Sequence, residues 1–365
     1  MKKISIIFLQ ITIIMGLNID DRLIQSGNNL VEIGKAISNV PDNQLSGMIW
    51  LINNMPEDDL KILSSEFLLT NCDLSYKVWA NSKWGDYIPE NIFFDGILPY
   101  ANLNERRDNW REDFYNKFSP VVKNCTSSYE AAVLLNQKIF EILGVIYSTK
   151  RPKADQSPYE SIEAGMASCT GLSILLIDAC RSVGIPARFV GTPSWYNDSG
   201  NHSWVEVWDN GWHFTGAAEP TGEKLNEGWF LDLAGKAKKG DMKYGIFAVT
   251  WNDSEFYFPM DWLQGVKKYK GVDITDRYTN IIYSHDLVPI RFRVLNKNGL
   301  REAIKITVSG DNNLTFEGTS RDQTYDLNDH LTFMLPKGKT FEVRAGDSIK
   351  VIDVIDEEII DLKTK

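Results

Sequence analysis

No stretch of this 365-residue chain gathers lysines and arginines into a long run, and the formal net charge is −10. Binding that depends on neutralising phosphates needs a clustered basic face, so nucleic acid is excluded as the main partner. Long apolar runs are missing too: beyond the first residues, no segment approaches the ~20 apolar residues that a membrane-spanning helix needs. Histidine is scarce, with four in the whole chain. Neither His285 nor His330 has metal-ligand spacing around it, so no metal site and no cofactor are expected. Internal repeats and low-complexity tracts are absent. What remains is an ordinary folded composition, 43% hydrophobic and 24% charged, with room for two or three domains of ~100–200 residues.

Lys2 and Lys3 precede an apolar run from Ile4 to Met15, interrupted by Ser5, Gln10 and Thr12, and polar sequence begins at Asn18. Residues 1–18 therefore read as a secretory signal peptide, which predicts a secreted, periplasmic or extracellular protein without a membrane span after cleavage. No cysteine lies near the expected cut, which disfavours lipid attachment there. The four cysteines are Cys72, Cys125, Cys169 and Cys180. An oxidising compartment invites pairing. If Cys169 and Cys180 share a helix, eleven residues at ~1.5 Å rise set them ~16 Å apart, beyond the ~7 Å limit for a bridge. Pairing of Cys72 with Cys125 is left open.

Residues 19–126 show apolar spacing of helical period over Asp21 to Ser38 and Glu57 to Leu69, punctuated by Pro41, Pro56, Pro89 and Pro99, and predict a helical N-terminal region. A stronger helix is expected over Ser127 to Leu143. The segment from Ser157 to about Thr221 alternates short helices and strands, within a domain expected over residues 127–265. Period-two runs such as Ile290 to Leu295, Ile304 to Val308 and Phe341 to Val343, with glycines between them, predict a C-terminal β-sandwich over residues 271–365, joined through Lys267, Lys268 and Lys270. The fold class is α+β. Because its strands begin only after the candidate catalytic residues, the sandwich is expected to stand apart from the site.

Ser157-Pro158-Tyr159-Glu160 has capping-box spacing with proline at the first helical position, and Gly165 is placed to end that short helix. The chain restarts at Ser168-Cys169-Thr170-Gly171, and a helical stripe then runs to Gly184. Cys169 is thus set at a helix N-terminus, where free backbone N–H groups and the helix dipole favour a thiolate. Downstream, Asn210-Gly211 lies between alternating apolar residues, the signature of a two-residue hairpin turn. Pairing Asp209 with Trp212 makes His202 face Glu219, with Cβ atoms ~4.5–5.5 Å apart. Glu206 and Asp209 lie ~13 and ~23 Å along the strand from His202 at ~3.3 Å per residue and are excluded as its partner. A thiol, an imidazole and an orienting carboxylate are the parts of a nucleophilic triad.

Gly165 to Gly171 with Arg181 to Arg188, then His202 to Val207, then Gly211-Trp212-His213-Phe214 leading to Glu219-Pro220, resemble the transglutaminase-like superfamily of papain-like thiol enzymes. The resemblance spans roughly Ser127 to Trp262 and implies a papain-like core with an antiparallel sheet. By it, Cys169 would be the nucleophile, His202 the general base and acid, and Glu219 would take the place usually held by Asp. The departure lengthens the acid by one methylene and keeps its charge. The reaction so implied is acyl transfer or hydrolysis at amide bonds of proteins, peptides or glycopeptides. Transferases, proteases, peptide N-glycanase-like deglycosylases and inactive members share this scaffold, so a catalytically silent binding or adhesion protein is the alternative. Seven of the eleven tryptophans lie between Trp195 and Trp262. Of these, Trp195 and Trp229 are the candidates to line a substrate cleft.

Overall fold

The computed structural model of the chain describes residues 19–263, 265–279, 287–311 and 314–364. The expected signal segment, residues 1–18, lies outside them. Among the described residues no helix is long and apolar enough to cross a membrane.

The N-terminal region is helical, in more and shorter pieces than the apolar spacing suggests. Helices cover Ile19–Gln25, Leu30–Asn39, Leu45–Asn54, Glu57–Leu60, Ser65–Asn81, Glu90–Gly96 and Arg111–Val122. Pro41, Pro56 and Pro89 each hold the extended conformation just before a helical turn, as a ring that fixes φ near −65° and supplies no N–H allows. Ser64 caps the Ser65 helix by accepting from the Phe67 N–H. These helices do not form a core of their own. One apolar cluster runs from Ile19 through Phe114, Leu175 and Val205 to Tyr269, so the first hundred residues and the following core are one packed body. Two buried arginines stitch them. Arg181 donates to the carbonyls of Gly96, Pro99, Ala101 and Ala187. Arg111 donates to Asn71 Oδ1 and to the carbonyls of Ile97 and Pro99.

The helices Ser128–Leu143, Pro158–Ala164 and Cys169–Ser182 follow. Around them come the strands β1 (Ile146–Tyr147), β2 (Met166–Ala167), β3 (Ala187–Thr192), β4 (His202–Trp208), β5 (Trp212–Thr215), β6 (Phe247–Val249), β7 (Phe256–Tyr257) and β8 (Lys270–Asp273). β3 to β8 make an antiparallel six-stranded sheet in the order β5-β4-β3-β6-β8-β7. The Cys169 helix is buried from Thr170 to Ser182, lying between this sheet and the Arg111 helix. Gly171 permits the close approach at its start, since a Cβ there would stand 2.9 Å from the Ala167 Cβ. β8 belongs to this sheet, and the helix Asp276–Thr279 follows it, so the core runs past the boundary expected at residues 265–271.

The C-terminal strands are β9 (Leu287–Leu295), β10 (Lys305–Gly310), β11 (Thr315–Thr319), β12 (Leu331–Pro336), β13 (Thr340–Ala345), β14 (Ser348–Asp353) and β15 (Glu358–Lys363). They form two sheets, β12-β9-β15 and β11-β10-β13-β14. Ile290, Phe292, Val308 and Val343 lie in the separate apolar core of this part. The arrangement is consistent with a sandwich. It joins the core through polar contacts that include Arg291 to Asp232 and Lys236 to Glu357.

Candidate active site

Local chemistry places the thiol. Ser157 and Glu160 close their capping box, and Gly165 ends that helix in the left-handed conformation. Ser168 caps the next helix by accepting from the Gly171 N–H while donating to the Ala154 carbonyl. Cys169 is then the first helical residue and is part-exposed, whereas the other three cysteines are buried, and all four are free. Burial pushes the Cys72 thiol up to about 12 and raises Cys180 further.

His202 opens β4, opposite Thr192 of β3. Its ring is walled by Trp229 and Phe230 at 4.7 and 5.0 Å between centroids, and by Trp204, stacked at 5.9 Å. The carboxylate of Glu219 stands at its Nε2, 3.5 Å away. The hairpin between them is not the expected one: Trp208 pairs with Trp212 and Val205 with Thr215, leaving the three-residue loop Asp209-Asn210-Gly211. A two-residue type I′ turn needs positive φ at both central residues. Here only Asn210 has it, at 54°. β5 ends at Thr215, so no ladder pairing sets Glu219 opposite His202; a turn does. Glu219 N–H donates to Gly216 O, Ala218 is left-handed at φ 64°, and Asn136 of the Ser128 helix accepts from Ala218 N–H while donating to Gly216 O. A Cβ on Gly216 would overlap the Glu219 carboxyl, whose Cδ lies 2.9 Å from that position. Trp229 Nε1 donates to Glu219 Oε2 at 2.8 Å.

Glu206 and Asp209 are engaged elsewhere. Glu206 is 2% exposed, holding Arg188 at 2.6 Å and accepting from the Tyr278 hydroxyl. Asp209 accepts from Tyr129 N–H at a helix start. Trp195 is not a cleft residue: it is 1% exposed, stacked on Trp204 and set beside His202. Its place is in the wall that confines the imidazole. Trp229 is partly exposed and holds the acid. The open space at Cys169 is a cleft of about 110 Å³ bordered by Arg151, Thr192, Phe258, Pro259 and Trp262.

The structure adds a residue that sequence reasoning missed. Asp326, in the loop between β11 and β12, brings Oδ2 to 3.8 Å from His202 Nδ1. A ligand-type atom from each of Cys169, His202 and Asp326 lies within 4.8 Å of the other two. The sandwich therefore does not stand apart from the site. Nothing local to Asp326 marks it in the sequence, because its position depends on how two separately packed parts meet. Burial disfavours the His202 imidazolium, but Glu219, Cys169 and Asp326 together outweigh it and hold the ring well above its ordinary range. Burial pushes the Glu219 carboxyl up, opposed by His202 and by the Trp229 N–H. Burial, with Glu219 and Asp326 nearby, also lifts Asp329 to about 7 against the pull of Arg321.

Residues 117–217 match the family model described as the transglutaminase-like superfamily. The match includes Cys169 and His202 and ends just before Glu219. No curated protein matches the chain. Among solved structures, a Cytophaga hutchinsonii protein described as a proposed cysteine protease is similar at 18% identity and TM-score 0.28, over 34% of this chain and 42% of that one. Red sea bream transglutaminase is similar at 10% identity and TM-score 0.25, over 78% of this chain and 58% of that one. A C-terminal fragment of the pilus adhesin SpaC from Lactobacillus rhamnosus GG is similar at 10% identity and TM-score 0.18, over 49% and 88%. The chain thus spans less than half the length of the Cytophaga protein. On the family match, residues 117–217 are a transglutaminase-like domain.

Proposed function

We propose that the protein is an exported thiol enzyme acting on amide bonds of proteins, peptides or glycopeptides through Cys169, His202 and Glu219. The observation that carries this is the junction of a part-exposed cysteine at a helix start with a buried imidazole whose far nitrogen faces a carboxylate. The thiolate attacks the amide carbonyl, and the oxyanion is held by the Cys169 backbone N–H, one of the free donors at the helix start. His202 passes its proton to the departing nitrogen as the C–N bond breaks, leaving a thioester. Water or an amine then attacks the thioester carbonyl, gives its proton to His202 and releases the Cys169 sulfur. Glu219 keeps the imidazole oriented and balances its charge in both steps. Export rests on the character of residues 1–18.

The test is mass spectrometry of the protein with a panel of peptides and glycopeptides, reading ammonia loss, cleavage or deglycosylation, beside iodoacetamide labelling between pH 4 and 9. The expected result is turnover of at least one panel member, lost in Cys169→Ala, and labelling of Cys169 well before Cys72, Cys125 and Cys180. Equal labelling of all four thiols in the folded protein would remove the nucleophile assignment. Preferential labelling without turnover of any member would favour the silent binding protein.

A further inference from the structure

With Glu219 at Nε2, the His202 nitrogen left to serve the thiol is Nδ1, and a second carboxylate already stands there. Resting on the reading of Cys169 and His202 as a working pair, we propose that Asp326, supplied by the C-terminal sandwich, is a positioning residue of that pair. It competes with the Cys169 thiolate for the His202 Nδ1 proton and sets the pH range in which the pair exists.

The placement of Asp326 is built. Its side chain is 2% exposed. Oδ1 accepts from the Asn328 backbone N–H and side-chain amide, which leaves Oδ2 directed at His202. The loop backbone is gripped by one guanidinium: Arg301 donates to the carbonyls of Tyr325, Asp326 and Asp329. Two further bonds tie the loop to the core beside the site. Leu327 N–H donates to the Tyr147 hydroxyl and the Asn328 amide to the Asn201 carbonyl, one residue from His202. Among the described residues no lysine or arginine comes within ion-pair distance of the Asp326 carboxylate, so the imidazole is its charged partner. The other titratable or charged groups facing this spot are Glu219, Tyr147, Arg151 at the cleft, Arg301, Arg321 and Asp329.

The sign follows from charge. A carboxylate beside the thiol opposes loss of the thiol proton and favours retention of the imidazolium proton. Replacing Asp326 by Asn removes the charge at nearly constant volume, so both events should occur at lower pH. A residue that merely supported the loop would change rates without moving the two inflections together.

The experiment is the rate of Cys169 alkylation by iodoacetamide against pH in the full chain, for wild type, Asp326→Asn and Asp326→Glu, with circular dichroism confirming the fold of each. Two inflections are expected in wild type, one as the pair forms and one as the imidazolium is lost. Both should move to lower pH by about half a unit or more in Asp326→Asn and return toward wild type in Asp326→Glu. Arg301→Lys, which keeps the positive charge and gives up the grip on three carbonyls at once, should give a smaller shift in the same direction. An Asp326→Asn profile that overlays wild type, or that falls uniformly with unmoved inflections, overturns the inference and leaves the proposed chemistry standing. If Asp326→Asn fails to fold, the Arg301→Lys shift decides. A wild-type profile with one ordinary thiol inflection removes the pair, and the role of Asp326 with it.

Discussion

Two loops bring a carboxylate to His202, and they are held by different kinds of contact. The turn carrying Glu219 is close-packed: Asn136 fixes its backbone, Gly216 leaves room for the carboxyl, and Trp229 bonds the acid. It rests on a core shared by residues from Ile19 to Tyr269. The loop carrying Asp326 belongs to a part with a separate core. It is organised by Arg301 and meets the site through single hydrogen bonds to Tyr147 and Asn201. The difference teaches that position within a packed body and charge delivered from outside it are separable. Loss of charge is expected to matter at both acids, and added volume beside the acid at Glu219 alone.

The largest effect should come from Glu219→Gln, which keeps the shape and removes the charge that stabilises the imidazolium. In a comparable triad such a change costs ~10⁴ in turnover, and Cys169 labelling near neutral pH should slow with it. Asp209→Asn should stay within a few-fold; a larger loss from Asp209 would break the comparison at its root. Next comes Gly216→Ala, which forces the Glu219 carboxyl off the imidazole while leaving every charge in place. A loss of about 10²-fold in turnover is expected, as for a misplaced catalytic group, with the labelling profile of Asp326→Asn as the contrasting charge-only case. Unchanged turnover would show that the close packing around Glu219 is not what positions it.

On the sandwich side the expected effect is on stability and follows pH. Asp329, lifted to about 7, keeps its proton in the folded state where the unfolded chain has lost it. Its contribution therefore falls as pH rises from about 4 to 7 and is least favourable above 7. Asp329→Asn should raise the urea midpoint at pH 8 by the equivalent of about 1–3 kcal/mol, since each tenfold change in proton affinity is worth ~1.4 kcal/mol, less the lost Arg321 contact. The gain should vanish near pH 4. His330, held down to about 4 mainly by burial with Arg301 nearby, runs the other way, losing stability as pH falls from about 6.5 to 4. In Asp329→Asn that slope should stand uncompensated, and His330→Gln should remove it. The smallest effect is expected for Trp229→Phe, which deletes one hydrogen bond to Glu219: a several-fold drop in turnover and a fold stable to within ~1 kcal/mol.

Much of the site was legible because it is local. Ser157-x-x-Glu160, Gly165 and the Ser168 cap are short-range codes, and they set Cys169 at a helix start without reference to the rest of the chain. The pairing of His202 with Glu219 was legible for a reason that does not survive. The Asn210-Gly211 turn leaves Gly211 at negative φ and shifts the register by one, and Glu219 arrives by way of Asn136 and Gly216 instead. Trp195 is typical of what composition cannot resolve, since a tryptophan near the His202 strand looks the same whether it faces solvent or, as here, an imidazole. The helical segments of the first hundred residues were legible in kind. That they share a core with the sheet was not, because apolar spacing marks a face and does not name its partner.

That shared core also orders events during synthesis. Domains generally fold as units, N-terminal first, as the chain emerges at ~5–20 residues per second. The helices from Ile19 to Val122 share one apolar cluster with residues as late as Phe247 and Tyr269, so they cannot complete a native core until most of the chain has been made. For several seconds Ile33, Leu68, Phe93 and Phe114, all destined for the interior, lack the surfaces that will cover them. A protein built this way has a long interval in which a holding chaperone can engage it before it becomes compact.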